Sequence, residues 1–173
     1  MATENVKLGV CNVTFDAVDL GLTKGGVEVE VTTETHKVMV DQFGNVPVNE
    51  YIVAREVKIR VPMAETTLEN LIKIMPGATL VTDGTTPTKK KVNVEHGTGI
   101  NLLSLAKQLI LHPAALTALD KSQDFTVPLA MTAGALTYSY KLDEERIYNV
   151  EFAAYPNSTT DIMFIVGDPS AVA

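Results

Sequence analysis

The sequence predicts a mainly β fold: a sheet with one dry face and one wet face, and a single clear helix set against it. Three observations predict it. Val27, Val29 and Val31 alternate with Glu28, Glu30 and Thr32. Val53, Arg55, Val57, Ile59 and Val61 alternate with Ala54, Glu56, Lys58 and Arg60. Period-two alternation sends successive side chains to opposite faces of a strand. The one unambiguous helical stripe is Leu68, Leu71, Ile72 and Met75, at i, i+3, i+4 and i+7.

Taken in order, the first strand is predicted over residues 8–15, with Cys11, Val13 and Phe15 on one face. The segment 19–26, DLGLTKGG, reads as a loop. A strand over 26–33 follows, then a short one over 36–40 carrying Val38 and Val40. Gly44, two asparagines and Pro47 make 41–50 a loop, because these residues favour turns and interrupt a ladder. The strand 51–61 ends at Pro62. The helix spans about 65–76, opened by a Thr66/Glu69 capping box and stopped by Pro76 and Gly77. One amphipathic helix among many strands covers an open face or end of the sheet.

The rest returns to β. Strands are predicted at 78–82 and 89–95, around the loop DGTTPTKK. INLLSLAKQLIL at 100–111 reads as a helical turn followed by a strand. Three further runs alternate: Phe125 to Met131, Leu136 to Leu142, and Tyr148 to Ala154. IMFIV at 162–166 is apolar on both faces and is expected to be a central buried strand.

Composition bounds the class. The 173 residues suit one domain, 1–173, with a substantial core. At 46% hydrophobic and 20% charged residues the chain is of ordinary globular type. A net charge of −7 argues against broad phosphate neutralisation on nucleic acid. Cys11 is the sole cysteine, so no intrachain disulfide forms. The polar N-terminus lacks the apolar core of a secretory signal, and no apolar run approaches a membrane span. A soluble chain folded in a reducing cytoplasm is expected.

No catalytic or metal-binding residue is expected, and no cofactor. His36, His96 and His112 have no partners at ligand spacing and read as structural or solvent-facing. Cys11, on an apolar strand face, reads as a buried, inert thiol. Gly97, Thr98 and Gly99 make a turn without the further glycines and Lys-Ser/Thr pair of a phosphate loop. Lys89, Lys90 and Lys91 read as a solvated strand edge, with docking to an acidic neighbour as the sharper reading. Asp143 to Arg146 read as a solvated charge run at a hairpin end.

The stretch 20–71, LGLTKGGVEVEVTTETHKVMVDQFGNVPVNEYIVAREVKIRVPMAETTLENL, resembles the major tail tube proteins of long-tailed, siphovirus-type bacteriophages. LAKQLILHPAAL at 105–116, GALTYSYKLDEERIYNVEF at 134–152 and IMFIVGD at 162–168 resemble the same family, in order along nearly the whole chain. The resemblance implies a β-sandwich or barrel-like core with a flanking helix, as a subunit of a hexameric ring. Rings stack into a hollow tube whose inner wall is a β-barrel, and genomic DNA is ejected through it. The partners implied are other copies of the chain and the tail tip or baseplate and tail terminator proteins. The location is the virion tail, assembled in the host cytoplasm, with no membrane. In the family a long loop between two early strands contacts neighbouring subunits and the adjacent ring. The matching segment is 41–50, with Asp41, Gln42, Phe43, Gly44, Asn45, Val46 and Pro47 as contact residues. The C-terminal immunoglobulin-like addition of many relatives is expected to be absent.

The residues agree with such a role. A sheet whose free edges pair with neighbours resolves the edge-strand problem by closing a ring. Glu28, Glu30, Glu56 and Lys58 are the candidate lumen-facing residues, and a net-acidic wall would let DNA slide without holding it. Lys58 and Arg60 either pair with Glu28, Glu30 or Glu56 across strands or face the exterior. Two readings compete: the tube of a contractile tail or type VI-like secretion system, and a small-molecule-binding β-barrel. The second is disfavoured by 6% aromatic content. An enzyme stands third.

Overall fold

The computed structural model describes residues 9–171. The predicted start of the first strand at Leu8, and both ends of the 1–173 domain, lie outside them. The chain is mainly β, 44% strand against 9% helix, in two antiparallel sheets.

The large sheet contains β1 (Cys11–Phe15), β2 (Val18–Asp19), β3 (Glu28–Met39), β4 (Pro47–Met63), β7 (Lys107–Pro113), β8 (Phe125–Thr132), β9 (Tyr148–Ala154) and β10 (Ile165–Val166). Its order is β2-β1-β7-β8-β9-β4-β3, with β10 also on β8. The small sheet is a ribbon of β5 (Ala78–Thr82) and β6 (Lys90–Val94). Helix α1 (Leu68–Ile74) contacts this ribbon, and the one-turn α2 (Leu102–Leu105) contacts β8.

Alternation builds the core. Val13 and Phe15, Val57, Ile59, Val61 and Met63, Leu109 and Leu111, and Tyr148, Val150 and Phe152 are all buried and form one cluster. On β8 the alternation breaks: Thr126 and Val127 are both buried, as are Ala130, Met131 and Thr132. Adjacent strand residues point to opposite faces, so β8 is covered on both faces over these runs. Separately, its register against β7 shifts: Lys107 faces Ala130 but Leu109 faces Val127. A bulge around Pro128 places an extra residue there.

Several sequence expectations are corrected. The strands expected at 26–33 and 36–40 are one strand, β3, paired throughout with β4. Pro62 does not end β4, which runs on to Met63. The Pro62 carbonyl accepts from the Lys24 amide, so the missing N–H points to the same side, beyond the start of β3, and costs the β9 ladder nothing. Residues 136–142 form no strand; only Thr137 bridges to Asn149, and Leu142 is fully exposed. The run 162–166 is not a central strand. It contributes only the two residues of β10, which occupy the edge of β8 left free where β9 stops at Ala130. Phe164 nevertheless stacks on Phe125, with ring centroids 5.2 Å apart.

The helix is shorter than 65–76, and its cap is Thr67, which accepts from the Asn70 amide at 3.1 Å. The Thr66 hydroxyl is engaged instead by two nitrogens of Arg146, at 3.0 and 2.7 Å. The deepest helix positions are Asn70 and Ile74. Leu71 packs on the core from a half-buried position, and Leu68, Ile72 and Met75 are half-buried. Asn70 belongs inside because its amide donates to the carbonyls of Leu20 and Glu65, both at 3.1 Å.

Candidate functional site

Two features remain once the core is assigned: a charged face on β3, β4 and β9, and a hairpin arm that leaves the sheet. Register creates the first. Glu28 pairs with Arg60, which pairs on its other side with Glu151, while Glu30 pairs with Lys58 and Thr32 with Glu56. Cross-strand partners share a face, so these side chains lie together opposite the core.

Arg60 is the hub. Its guanidinium meets Glu28 at 3.0 Å, Glu30 at 3.2 Å and Glu151 at 3.2 Å. Lys58 meets Glu56 at 3.3 Å. The hydrogen bond to Glu28, followed by that to Glu151, raises the already high pKa of Arg60. Four carboxylates against two cations leave this face two negative charges in excess. All six side chains are substantially exposed, so the pairs set the local field more than they stabilise the fold. The candidate residues Glu28, Glu30, Glu56 and Lys58 therefore come together, and Lys58 and Arg60 pair with the glutamates. Glu151 was missed. Its place on the wet side of strand 148–154 was readable, but its alignment with Arg60 depends on pairing that no local pattern reveals.

Beside this face lies an open groove of about 750 Å³, between Gly25–Gly26 on one side and Ala135 and Thr137 on the other. Arg60 and Glu151 sit in it, already engaged with each other.

The second feature begins where β4 leaves β9. Their pairing covers only Lys58 to Met63, whereas β3 and β4 pair out to Met39 and Pro47. Between Thr32 and Glu56 the ribbon is almost wholly exposed on both faces. Met39, Phe43, Val46, Tyr51, Ile52 and Val53 are each more than half exposed. Register shifts near Val53 and Val48 interrupt the alternation, so residues 47–52 change faces relative to 54–63.

The segment expected as a loop at 41–50 is tighter than that. Asp41, Gln42 and Phe43 form a 3-10 turn, and Pro47 already belongs to β4. Gly44 takes φ 60 and ψ −133, the first central position of a II′ turn, and the Val46 amide closes it on the Phe43 carbonyl at 3.3 Å. Phe43, Asn45 and Val46 are thus held at the end of a hydrogen-bonded ribbon, all exposed.

The other singled-out residues lie elsewhere. His36 faces Tyr51 across the arm. His96 accepts from the Thr98 amide at 3.1 Å. The Gly97–Gly99 segment is a turn closed by the Ile100 amide on the Gly97 carbonyl. His112 bonds Asp124 through Nδ1 at 2.6 Å, and its Nε2 is buried without a partner among the described residues. Cys11 is half-buried, and burial raises its thiol pKa. Lys90 pairs with Glu69 at 2.7 Å. Arg146 is not a solvated charge: besides Thr66 it lies over the rings of Tyr140 and Tyr148. Among the described residues no group of three His, Cys, Asp or Glu could hold a metal ion, and no helix is long and apolar enough to cross a membrane.

No protein-family model matches the chain, and no curated protein matches it.

Proposed function

We propose that this chain is a structural subunit of a bacteriophage tail tube, with six copies closing into a ring and rings stacking into a hollow conduit for DNA. The observation that carries the reading is the arm: a β3–β4 ribbon with apolar side chains on both faces, largely uncovered among the described residues. A two-stranded ribbon is marginal in water by itself, and so large an exposed apolar surface marks an interaction site. The outer edge of β3, twelve residues long, has no neighbour in the sheet among the described residues. An edge of that length invites pairing with another chain, and closure by symmetry removes it.

In this reading the sandwich or barrel-like sheet supplies the tube wall, and the face around Arg60 lines the bore. A weakly negative, well-hydrated wall repels phosphate and offers DNA no deep site. The subunit is then a scaffold without enzymatic activity. Its other partners are the proteins that terminate the two ends of a tail, and its location is the virion. The resemblance of residues 20–71, 105–116, 134–152 and 162–168 to tail tube proteins supports the same reading.

Negative-stain microscopy of the purified protein at rising concentration tests it. Rings or tubes with a central hole are expected. A species that stays monomeric at millimolar concentration, across salt and pH, would reject the proposal.

A further inference from the structure

At the base of the arm the structure leaves a second unfilled feature. A cleft of about 590 Å³ lies between Ile52 and Arg55 of the arm and Ile162, Met163 and Phe164 of the C-terminal segment. Its walls mix apolar side chains, Ile52, Pro156, Ile162, Met163 and Phe164, with the polar groups of Arg55 and Asp161, and it is wide enough for a large side chain. Arg55 stands in it with one long contact, to Thr33 Oγ1 at 3.4 Å, and with no ion pair among the described residues. Asp161 shares the rim but forms no ion pair with Arg55.

The arm tip carries complementary chemistry. Phe43 is 65% exposed, with Val46 beside it. Asp41, two residues before Phe43 in the same 3-10 turn, also has no ion pair among the described residues. An apolar knob with an acid at its shoulder thus faces no partner among the described residues, as does a cleft that pairs apolar walls with an arginine.

The two cannot meet within one chain. Thr35 pairs with Ile52 at the cleft, and from Thr35 to Asp41 an extended ribbon covers on the order of 20 Å at about 3.3 Å per residue. The ladder is paired along that length, so the ribbon cannot fold back without breaking it.

We propose that the tip of the arm, led by Phe43, docks into the Ile52–Phe164 cleft of a second copy, with Asp41 of the incoming arm pairing with Arg55. The contact is head-to-tail, because donor and acceptor surfaces differ. Repetition of such a contact closes a ring or extends a filament according to its rotation. This deepens the tube reading by naming the surface that receives the arm, and it rests on that reading only in requiring copies of the chain to meet.

The test uses the full chain with cysteines at Asn45→Cys, beside the intact Phe43, or Ile162→Cys, mixed in equal amounts under mild oxidation, one variant carrying a mass tag. Cys11 remains in both and in the parent control, its thiol half-buried. A mixed disulfide dimer well above the level in either variant alone is expected. Its absence overturns the docking. If the parent still forms tubes in that case, the tube reading survives; if the mixed dimer forms but no tubes do, the docking stands and the tube reading falls. Charge reversal gives a second readout. Asp41→Arg and Arg55→Asp should each raise the concentration needed for association by about tenfold, and the doubly reversed chain should recover most of the loss with subunit melting unchanged. Additive losses without recovery would overturn the Asp41–Arg55 pairing and, with it, the orientation proposed.

Discussion

The rings of Phe15 and Phe152 touch, with centroids 5.1 Å apart and planes at 46°, although their strands β1 and β9 stand three places apart in the sheet. Three strand spacings in a flat sheet amount to about 14 Å. The sheet therefore curves strongly between them, and the dry faces of β1 and β9 enclose a common core. Phe152 is fully buried and Phe15 nearly so. Phe152→Ala should cost about 3–5 kcal/mol, the range for removing a buried ring with incomplete collapse of the space. Urea denaturation checks it, with Phe43→Ala on the exposed arm tip as the comparison, expected within about 0.5 kcal/mol of the parent subunit.

That curvature also shows what could be read in advance. The dry faces of β1, β4 and β9 follow from alternation at Val13 and Phe15, at Val57 to Val61 and at Tyr148 to Phe152, because burial on one face imposes a two-residue period. What alternation lacks is partner identity. The pairing of Arg60 with Glu151 is a long-range fact of register, and so Glu151 was the one member of the charged face that was not legible, while Glu28, Glu30, Glu56, Lys58 and Arg60 were. The arm was hidden for a different reason. Pro47 and the turn-forming residues around Gly44 suggested a long loop, whereas a II′ turn absorbs them in four residues. The failed strand at 136–142 shows the opposite error: Tyr138 and Tyr140 alternate correctly, yet they pack edge to face on each other, and Arg146 lies over Tyr140, so side-chain clustering replaces a ladder.

The helix shows how a buried polar residue shifts a stripe. Ile74, 1% exposed, occupies the position next to the core that the apolar pattern gave to Leu71 and Ile72. Ile74→Ala should cost about 2–5 kcal/mol, and Ile72→Ala about 1 kcal/mol, since part of that side chain stays in water. Asn70→Ala leaves the carbonyls of Leu20 and Glu65 without their donor and should cost about 1–3 kcal/mol. Melting of the three variants separates them; an Ile72→Ala loss equal to that of Ile74→Ala would contradict the orientation of α1.

The turn between β1 and β2 is strained at a definite residue. Asp16 and Ala17 have φ of 51° and 60°, both in the left-handed region, as a two-residue I′ turn requires. Alanine carries a Cβ that opposes this conformation by about 1–2 kcal/mol. Ala17→Gly should therefore stabilise the subunit by about 1 kcal/mol, after the greater flexibility of glycine in the unfolded chain is offset. The same substitution at Ala114, outside any positive-φ position, should not stabilise. Chemical denaturation of the two variants makes the comparison.

Acid sensitivity follows from four exposed carboxylates held below their usual range. Lys90 lowers Glu69, Lys24 lowers Glu145, the Thr86 and Thr85 amides lower Asp83, and Ser170 lowers Asp168. A depressed folded pKa gives stability that is fully present above the unfolded value, about pH 4 for these groups, and is lost as pH falls through the lower folded value. Melting temperature should thus be flat with respect to these groups at neutral pH and should fall on acidification below about pH 4. Lys90→Met should make that acid limb shallower by returning Glu69 toward its ordinary pKa. An unchanged limb in the variant would show that the exposed pair contributes nothing measurable.

The charged face tests the proposed conduit directly. Changing Glu28 and Glu30 together to lysine removes two of the three carboxylates around Arg60, and the face passes from two negative charges in excess to two positive. Both positions are exposed, so the subunit should fold and melt close to the parent. In an assembled tube six such patches per ring would surround the bore, and a bore that had repelled phosphate would attract it. Duplex DNA should then be retained on or in the tubes at low ionic strength. The retention should vanish near 1 M salt, where the Debye length falls to about 3 Å. DNA ejection from particles built with the double variant, compared at low and high salt, is the measurement. Slow or stalled ejection at low salt that recovers with salt is expected; normal ejection at low salt through intact tubes would place Glu28 and Glu30 away from the lumen.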